Sequence, residues 1–356
     1  MKARRRFVLG CMGLVGAGVP MSAQASTIVL VNTGGVEQGT AAFDGFRAAA
    51  NYWESVLRDN VTLTFNVGFS STGFAATTLG STSSASSAKA TSAWMSALTA
   101  DATTALDASV VSSLPNILNA QVTLNNTVQK ALGLYTGNAS TADATIRFNS
   151  ARAFDFDPRD GFATVSSDFV SVAVHEMGHA LGFTSNVGMA TTNASRPANT
   201  DLFRYKNGAW DISYAGNPYF SIDGGTTEFK GNAGFSAGPD GFQTSHWREG
   251  ARQHDGVSCT VLLEPQVGIL DPTGGLCQEG IVTAQDLAIF DAMGWNLGLD
   301  ILQNLNYAKS TSSILQDYYD RASAVPEPST WAMMAIGLAA TGVATRRRRR
   351  VTVSYA

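Results

Sequence analysis

Val172-Ala173-Val174-His175-Glu176-Met177-Gly178-His179-Ala180-Leu181-Gly182-Phe183 holds a His-Glu-x-x-His pattern inside an apolar run. On an α-helix, positions i and i+4 share a face, so His175 and His179 project side by side. Two imidazoles at that spacing can hold one Zn²⁺ through bonds of about 2.0–2.1 Å. Glu176 then stands next to the metal without ligating it, placed to take a proton from a zinc-bound water. The chain has four histidines and two of them fall here. Gly182 marks the point where the helix must stop. The stretch thus predicts one helix carrying two metal ligands, His175 and His179, and a general base, Glu176.

Upstream of this helix, Ser26 to Asn32 is a short apolar run that reads as a buried strand. Phe43, Phe46, Ala50, Trp53 and Leu57 recur at helical spacing and predict an amphipathic helix over Ala42 to Arg58. Val61, Leu63, Phe65, Val67 and Phe69 alternate as in a strand. Ser70 to Asp107 is rich in Ser, Ala and Thr, with weak helical signal around Ala90 to Leu98 and no assigned role. Gln121 to Leu132 reads as strand, helix or part of each, and Ala142 to Asn149 as a strand. An aromatic and acidic loop, Phe154 to Pro158, follows, and Ser166 or Ser167 is expected to cap the motif helix.

Downstream, about sixty polar, Gly-rich residues follow Gly182, and Asp223-Gly224-Gly225 reads as the turn of a hairpin. Gly268 to Pro272 reads as a turn. Thr283 and Asp286 cap a second helix with Leu287, Phe290 and Met293 as its buried stripe and Gly294 as its end. The order of elements predicts an α+β fold: a mixed sheet, the motif helix and a C-terminal helix after a turn.

The chain has 356 residues and a formal net charge of −4. Nine of its 24 basic residues are Lys2, Arg4, Arg5, Arg6 and Arg346 to Arg350; without these and Glu327, 15 basic residues face 27 acidic ones, near −12. That balance argues against nucleic acid as a partner. The basic start, the apolar run from Phe7 to Val19 and Ala23-Gln24-Ala25 read as a signal peptide over residues 1–25. Cys11 belongs to that segment, which leaves Cys259 and Cys277 as an expected disulfide in an exported chain.

A catalytic zinc takes three protein ligands and keeps one open position. The compact extension of the motif would place a third histidine where Ser185 stands, so the third ligand comes from elsewhere. His246 and His254 are the two histidines left, and spacing does not choose between them. His175-Glu176-x-x-His179-x-x-Gly182, a long insertion, Ser245-His246-Trp247 and the later Asp271-Pro272 turn together resemble the leishmanolysin branch of the metzincin zinc proteases. The segments Tyr219 to Gly225 and Thr283 to Trp295 also resemble a group of exported bacterial metalloproteases that share this chain's tail. The resemblance spans Ser26 to Trp295 and implies a metzincin-like zincin fold, His175, His179 and His246 as zinc ligands, and Glu176 as the base. Metzincins carry a Met in the turn beneath the metal; here Leu270, or the segment Leu263 to Pro265, takes that place.

Val325-Pro326-Glu327-Pro328, the apolar run Trp331 to Thr345 and the five arginines 346–350 resemble a PEP-CTERM sorting signal of Gram-negative bacteria. That resemblance implies a transient transmembrane anchor, cleavage by an exosortase, and release to the cell surface or extracellular matrix. The expected organisation is a signal peptide over 1–25, a zinc metalloprotease domain over 26–300, a linker over 301–324 and the sorting segment over 325–356. The expected activity is hydrolysis of peptide bonds in a protein or peptide substrate, with Zn²⁺ as cofactor. The alternative is a surface or matrix binding protein with a degenerate, non-catalytic zinc site.

Overall fold

Thr27–Asn32 (β1) pairs in parallel with Thr62–Phe69 (β2), in the register Thr27 to Thr62 through Asn32 to Val67. These strands come from a computed structural model that describes residues 26–115, 121–138, 140–161, 164–188, 196–231, 234–250 and 266–324, with Leu338 and Thr341. The alternation in β2 buries Leu63, Phe65 and Val67 on one face. β1 differs from the buried strand expected. It is the sheet's edge, and Val29 and Val31 are each 42% exposed on the face away from the core.

Ala41–Val56 (α1) lies between β1 and β2, and between β2 and the motif helix the chain forms Gly80–Ser84 (β3), Ser86–Ala90 (β4), Thr91–Asp101 (α2) and Ala105–Ser113 (α3). Gln121–Asn125 (β5) and Asn126–Ala131 (α4) resolve the mixed signal of that stretch as strand, then helix. Ala144–Phe148 (β6) completes a four-stranded sheet in the order β1-β2-β6-β3. The first three strands are parallel and β3 is antiparallel to β6. The short strands Phe154–Asp155 (β7) and Ser167–Asp168 (β8) pair just before the motif helix.

The motif helix is Phe169–Leu181 (α5), and nearly all of it is buried. An apolar surface on all sides suits a helix packed between layers. Its Phe169 ring lies 5.3 Å from Phe46 of α1 and 4.7 Å from Phe148 of β6, centroid to centroid. Gly45 permits this approach, since a Cβ there would sit 2.4 Å from the Phe169 ring. The N-cap is Asp168, not Ser166 or Ser167: its carboxylate accepts from the Ser171 N–H at 3.0 Å, a stronger charge-assisted bond at the positive helix end. Gly182 ends the helix at φ 128°, where a Cβ would lie 2.6 Å from Val128.

After α5 the chain has little regular structure. Arg204–Lys206 (β9) pairs with both Ala209–Trp210 (β10) and Tyr219–Phe220 (β11). The hairpin turn is Asn207-Gly208, both at positive φ (51° and 77°), and not Asp223-Gly224-Gly225. Asp223 instead ties a local loop, accepting from the Ser221 hydroxyl at 2.6 Å and the Thr227 N–H at 2.9 Å. Ile281–Thr283 (β12) leads into Ala284–Met293 (α6), whose Thr283–Asp286 capping box and Gly294 end are as expected.

The stretch 301–324, expected as a linker, is folded onto the body. Ala308–Ser310 (β13) pairs with β12, and Thr311–Ala324 (α7) packs on α1. Ile314 and Leu315 are buried, Thr311 donates to the Asp168 carboxylate, and the Tyr318 hydroxyl donates to Asp44 at 2.8 Å. Its run of Ser and Thr hides one apolar face. The architecture is therefore mixed α/β, with seven α-helices and several small sheets among the described residues. Cys277 is disulfide-bonded, while Cys259 and the Leu263 to Pro265 segment lie outside the described residues.

Candidate metal centre

α5 places His175 and His179 on one face, as the four-residue spacing requires, with ring centroids 4.7 Å apart. His246 joins them from the loop region, 4.8 Å from the His179 ring and 5.2 Å from the His175 ring. His254 lies outside the described residues. The Nε2 atoms converge: His179 to His175 is 3.0 Å and His179 to His246 is 3.2 Å.

Each Nδ1 is engaged by a backbone carbonyl. His175 uses Ile269 at 2.8 Å, His179 uses Phe183 at 2.7 Å, and His246 uses Gln243 at 3.1 Å. A carbonyl only accepts, so every Nδ1 carries the hydrogen and every neutral ring turns an Nε2 lone pair to the common point. Burial pushes His175 down to about 3, helped by the charge of His179, and pushes His179 down to about 4. Burial first, then the other two histidines, holds His246 well below the ordinary value. Three lone pairs with no hydrogen between them repel unless a cation sits at the focus. A tetrahedral ion with bonds of about 2.0–2.1 Å would need nitrogen separations of about 3.3–3.4 Å, close to those present. These donors, all within 4.8 Å of one another, fit a divalent metal.

Glu176 is buried beside this focus, and burial raises its carboxyl to about 7. Thr82 of β3 donates to Glu176 Oε2 at 2.7 Å and so fixes the carboxylate plane. Gly80, also on β3, leaves room next to Oε1, where a Cβ would lie 3.0 Å away. Ser185, already excluded as a ligand by its chemistry, donates to Asp201 at 2.6 Å. Leu270 is fully buried under α5, its methyls 3.0 Å from where a Gly178 Cβ would be. It packs against the α5 turn at Gly178, next to His179.

Sequence reading missed the groups that hold the loop side of the site. Arg204 is fully buried and donates to the Ser236 and Thr244 carbonyls at 2.7 and 3.0 Å. The Ser236 N–H in turn donates to the His246 carbonyl at 3.0 Å, so the guanidinium braces the segment carrying that histidine. Thr82 carried no signal because it lies in the Ser/Thr-rich stretch that gave no assignment. The cleft around the centre encloses about 680 Å³. Its charged lining among the described residues is Glu176 with the buried Asp168 and Asp271. The rest is mostly neutral and polar, including Asn125, Asn186, Gln243 and Gln278.

Residues 324–349 match the PEP-CTERM protein-sorting motif. No curated protein and no solved structure matches the chain. The motif is one that exosortase-type enzymes recognise, and it implies export and sorting to the cell surface. Among the described residues no helix is long and apolar enough to cross a membrane, and the apolar run 331–345 lies outside them except for Leu338 and Thr341.

Proposed function

We propose that this chain is an exported zinc-dependent endopeptidase with a metzincin-like catalytic body. One observation carries the reading: three Nε2 lone pairs, locked by their Nδ1 bonds, face one point beside a buried glutamate. His175, His179 and His246 would hold Zn²⁺, which suits three neutral imidazoles and an open fourth position. When bound there, the ion polarises a carbonyl oxygen and makes water more acidic. Glu176 accepts a proton from the water that adds to the peptide carbonyl carbon. As the C–N bond breaks, Glu176 passes that proton to the leaving nitrogen, so the carboxylate ends as it began. Thr82 keeps the carboxylate aimed through both transfers.

β3 supports a peptide substrate. It ends the sheet order, so its outer edge has no strand partner among the described residues, and Gly80, Ser81, Thr82 and Ser84 line the cleft. An extended peptide adds to such an edge by main-chain hydrogen bonds. Apart from Glu176 and the buried Asp168 and Asp271, the lining is neutral, which favours uncharged side chains on either side of the scissile bond.

The test is the full chain purified with zinc. It should hold one zinc per chain and cleave casein, and Glu176→Ala should keep the zinc while losing roughly 10²–10⁴-fold in rate. Cleavage that survives Glu176→Ala overturns the mechanism. Zinc binding without cleavage by the unaltered chain points to the non-catalytic binding protein instead.

A further inference from the structure

We infer that Asp286 is the positioning residue that sets the geometry of two of the three metal-binding histidines at once, an assignment that rests on the zinc reading above. Asp286 is fully buried at the third position of α6, where its evident task is to cap the helix. It does more than that. Its Oδ2 accepts from the Thr283 N–H at 2.8 Å and from the Ile269 N–H at 2.9 Å. Its Oδ1 accepts from the Trp247 indole N–H at 2.8 Å and from the Leu270 N–H at 3.3 Å.

Apart from the Thr283 cap, these bonds lead to the residues next to a ligand. The Ile269 carbonyl takes the Nδ1 hydrogen of His175 at 2.8 Å, so holding the Ile269 peptide holds that ring. Trp247 follows His246 directly, and its own N–H donates to the Leu270 carbonyl at 3.0 Å. The indole is fully buried against Phe183 and Phe235, at 4.9 Å each, so the ring cannot turn away from the carboxylate. Gly268 leaves the space for this approach: a Cβ there would lie 2.1 Å from Asp286 Oδ2. A helix cap needs one or two acceptor bonds. Here one carboxylate gathers the helix start, the turn under the metal and the residue beside the third ligand.

A group that only capped α6 would change stability and leave the metal site of the folded chain alone. A positioning group changes the metal site itself; outer partners of ligands are typically worth 10–100-fold in metal affinity. The experiment compares the full chain with Asp286→Asn and Trp247→Phe, the second removing one donor while leaving every backbone bond to the carboxylate. Zinc affinity is measured by competition with a chromophoric chelator, and the site is also read from the visible absorption of the Co²⁺-loaded protein. Thermal unfolding identifies which variants are folded. We expect about 10–100-fold weaker zinc binding and altered Co²⁺ bands for Asp286→Asn, with a smaller change in the same direction for Trp247→Phe. Wild-type zinc affinity and an unchanged Co²⁺ spectrum in the variants that fold overturn the assignment. Failure of the unaltered chain to bind zinc at all would overturn the zinc reading instead, so the two failures are distinct.

Discussion

The two sides of the three-histidine cluster are built in different ways. On one side, α5 carries His175, Glu176 and His179 on a single helix, and helical geometry alone makes them neighbours. On the other, His246 lies 67 residues beyond His179 in a region of short strands and loops. Packing of Phe169 against α1 and β6 holds the first side. The second is held largely by buried polar groups, Arg204 and Asp286, whose bonds end on backbone atoms and on the Trp247 indole. A loop has no repeating hydrogen-bond ladder, so each of its buried carbonyls and N–H groups needs an individual partner.

Removing a proposed zinc ligand from either side should give the largest effect. His246→Ala and His175→Ala should each weaken zinc binding roughly 10²–10³-fold, the share of one ligand in a site worth about 10–16 kcal/mol. Chelator competition gives the values, and circular dichroism should show α5 intact in the His246→Ala chain. Arg204→Met separates the two sides further. It removes two charge-assisted bonds and should cost about 3 kcal/mol. In hydrogen exchange, the Ser236 and Arg248 amides should lose protection while those of α5 keep theirs. Equal loss in both regions would mean that the two sides do not behave as separate units.

A third test lies away from the histidines. Asp291 on α6 is buried, and its carboxyl is raised from 3.8 to about 8 by burial first, then by Asp107, Asp300 and Asp101. A carboxyl raised in the folded state binds its proton more tightly there, so stability falls as pH rises from about 4 to about 8. Asp291→Asn removes that titration. A tenfold difference in proton affinity between the folded and unfolded chain is worth about 1.4 kcal/mol, while the buried amide left by the substitution costs about 1–3 kcal/mol. The variant should therefore gain roughly 2–5 kcal/mol over the unaltered chain at pH 8–9, and near pH 4 the sign should reverse to a loss of about 1–3 kcal/mol in thermal unfolding. The smallest effect is expected from Leu270→Met, a near-isosteric change under α5 that should shift stability by less than about 1.5 kcal/mol and leave zinc content unchanged. A large loss would show that the branched side chain is specifically required there.

The elements that were legible are those whose pattern is local. α1, β2 and α6 follow from apolar periodicity, α5 from its His-Glu-x-x-His pattern within an apolar run, and the Thr283–Asp286 cap from adjacent residues. Asp168 displaced the expected serine cap because a carboxylate both accepts from the Ser171 N–H and meets Thr311 of α7. α7 itself was masked by Ser310 to Ser313, since its apolar residues Ile314 and Leu315 gain meaning only against α1. Thr82 and Arg204 gave no signal, because a single polar residue in an unpatterned stretch says nothing about which distant atom it meets. His246 could be chosen over His254 only through the Ser-His-Trp resemblance.

By itself, the sequence determined that one helix turn presents two imidazoles and a carboxylate, and that the tail carries a contiguous sorting motif at residues 324–349. Both are readable because their meaning lies in consecutive positions. Only the tertiary structure decided which ring nitrogen of each histidine faces the centre, and which carboxylate braces it. The His175 ring is locked by a carbonyl 94 residues away, and Trp247 by a carboxylate 39 residues away. Bonds over such distances depend on how layers and loops stack. They arise from burial, which leaves each polar group the choice of a protein partner or a desolvation cost of about 1–3 kcal/mol.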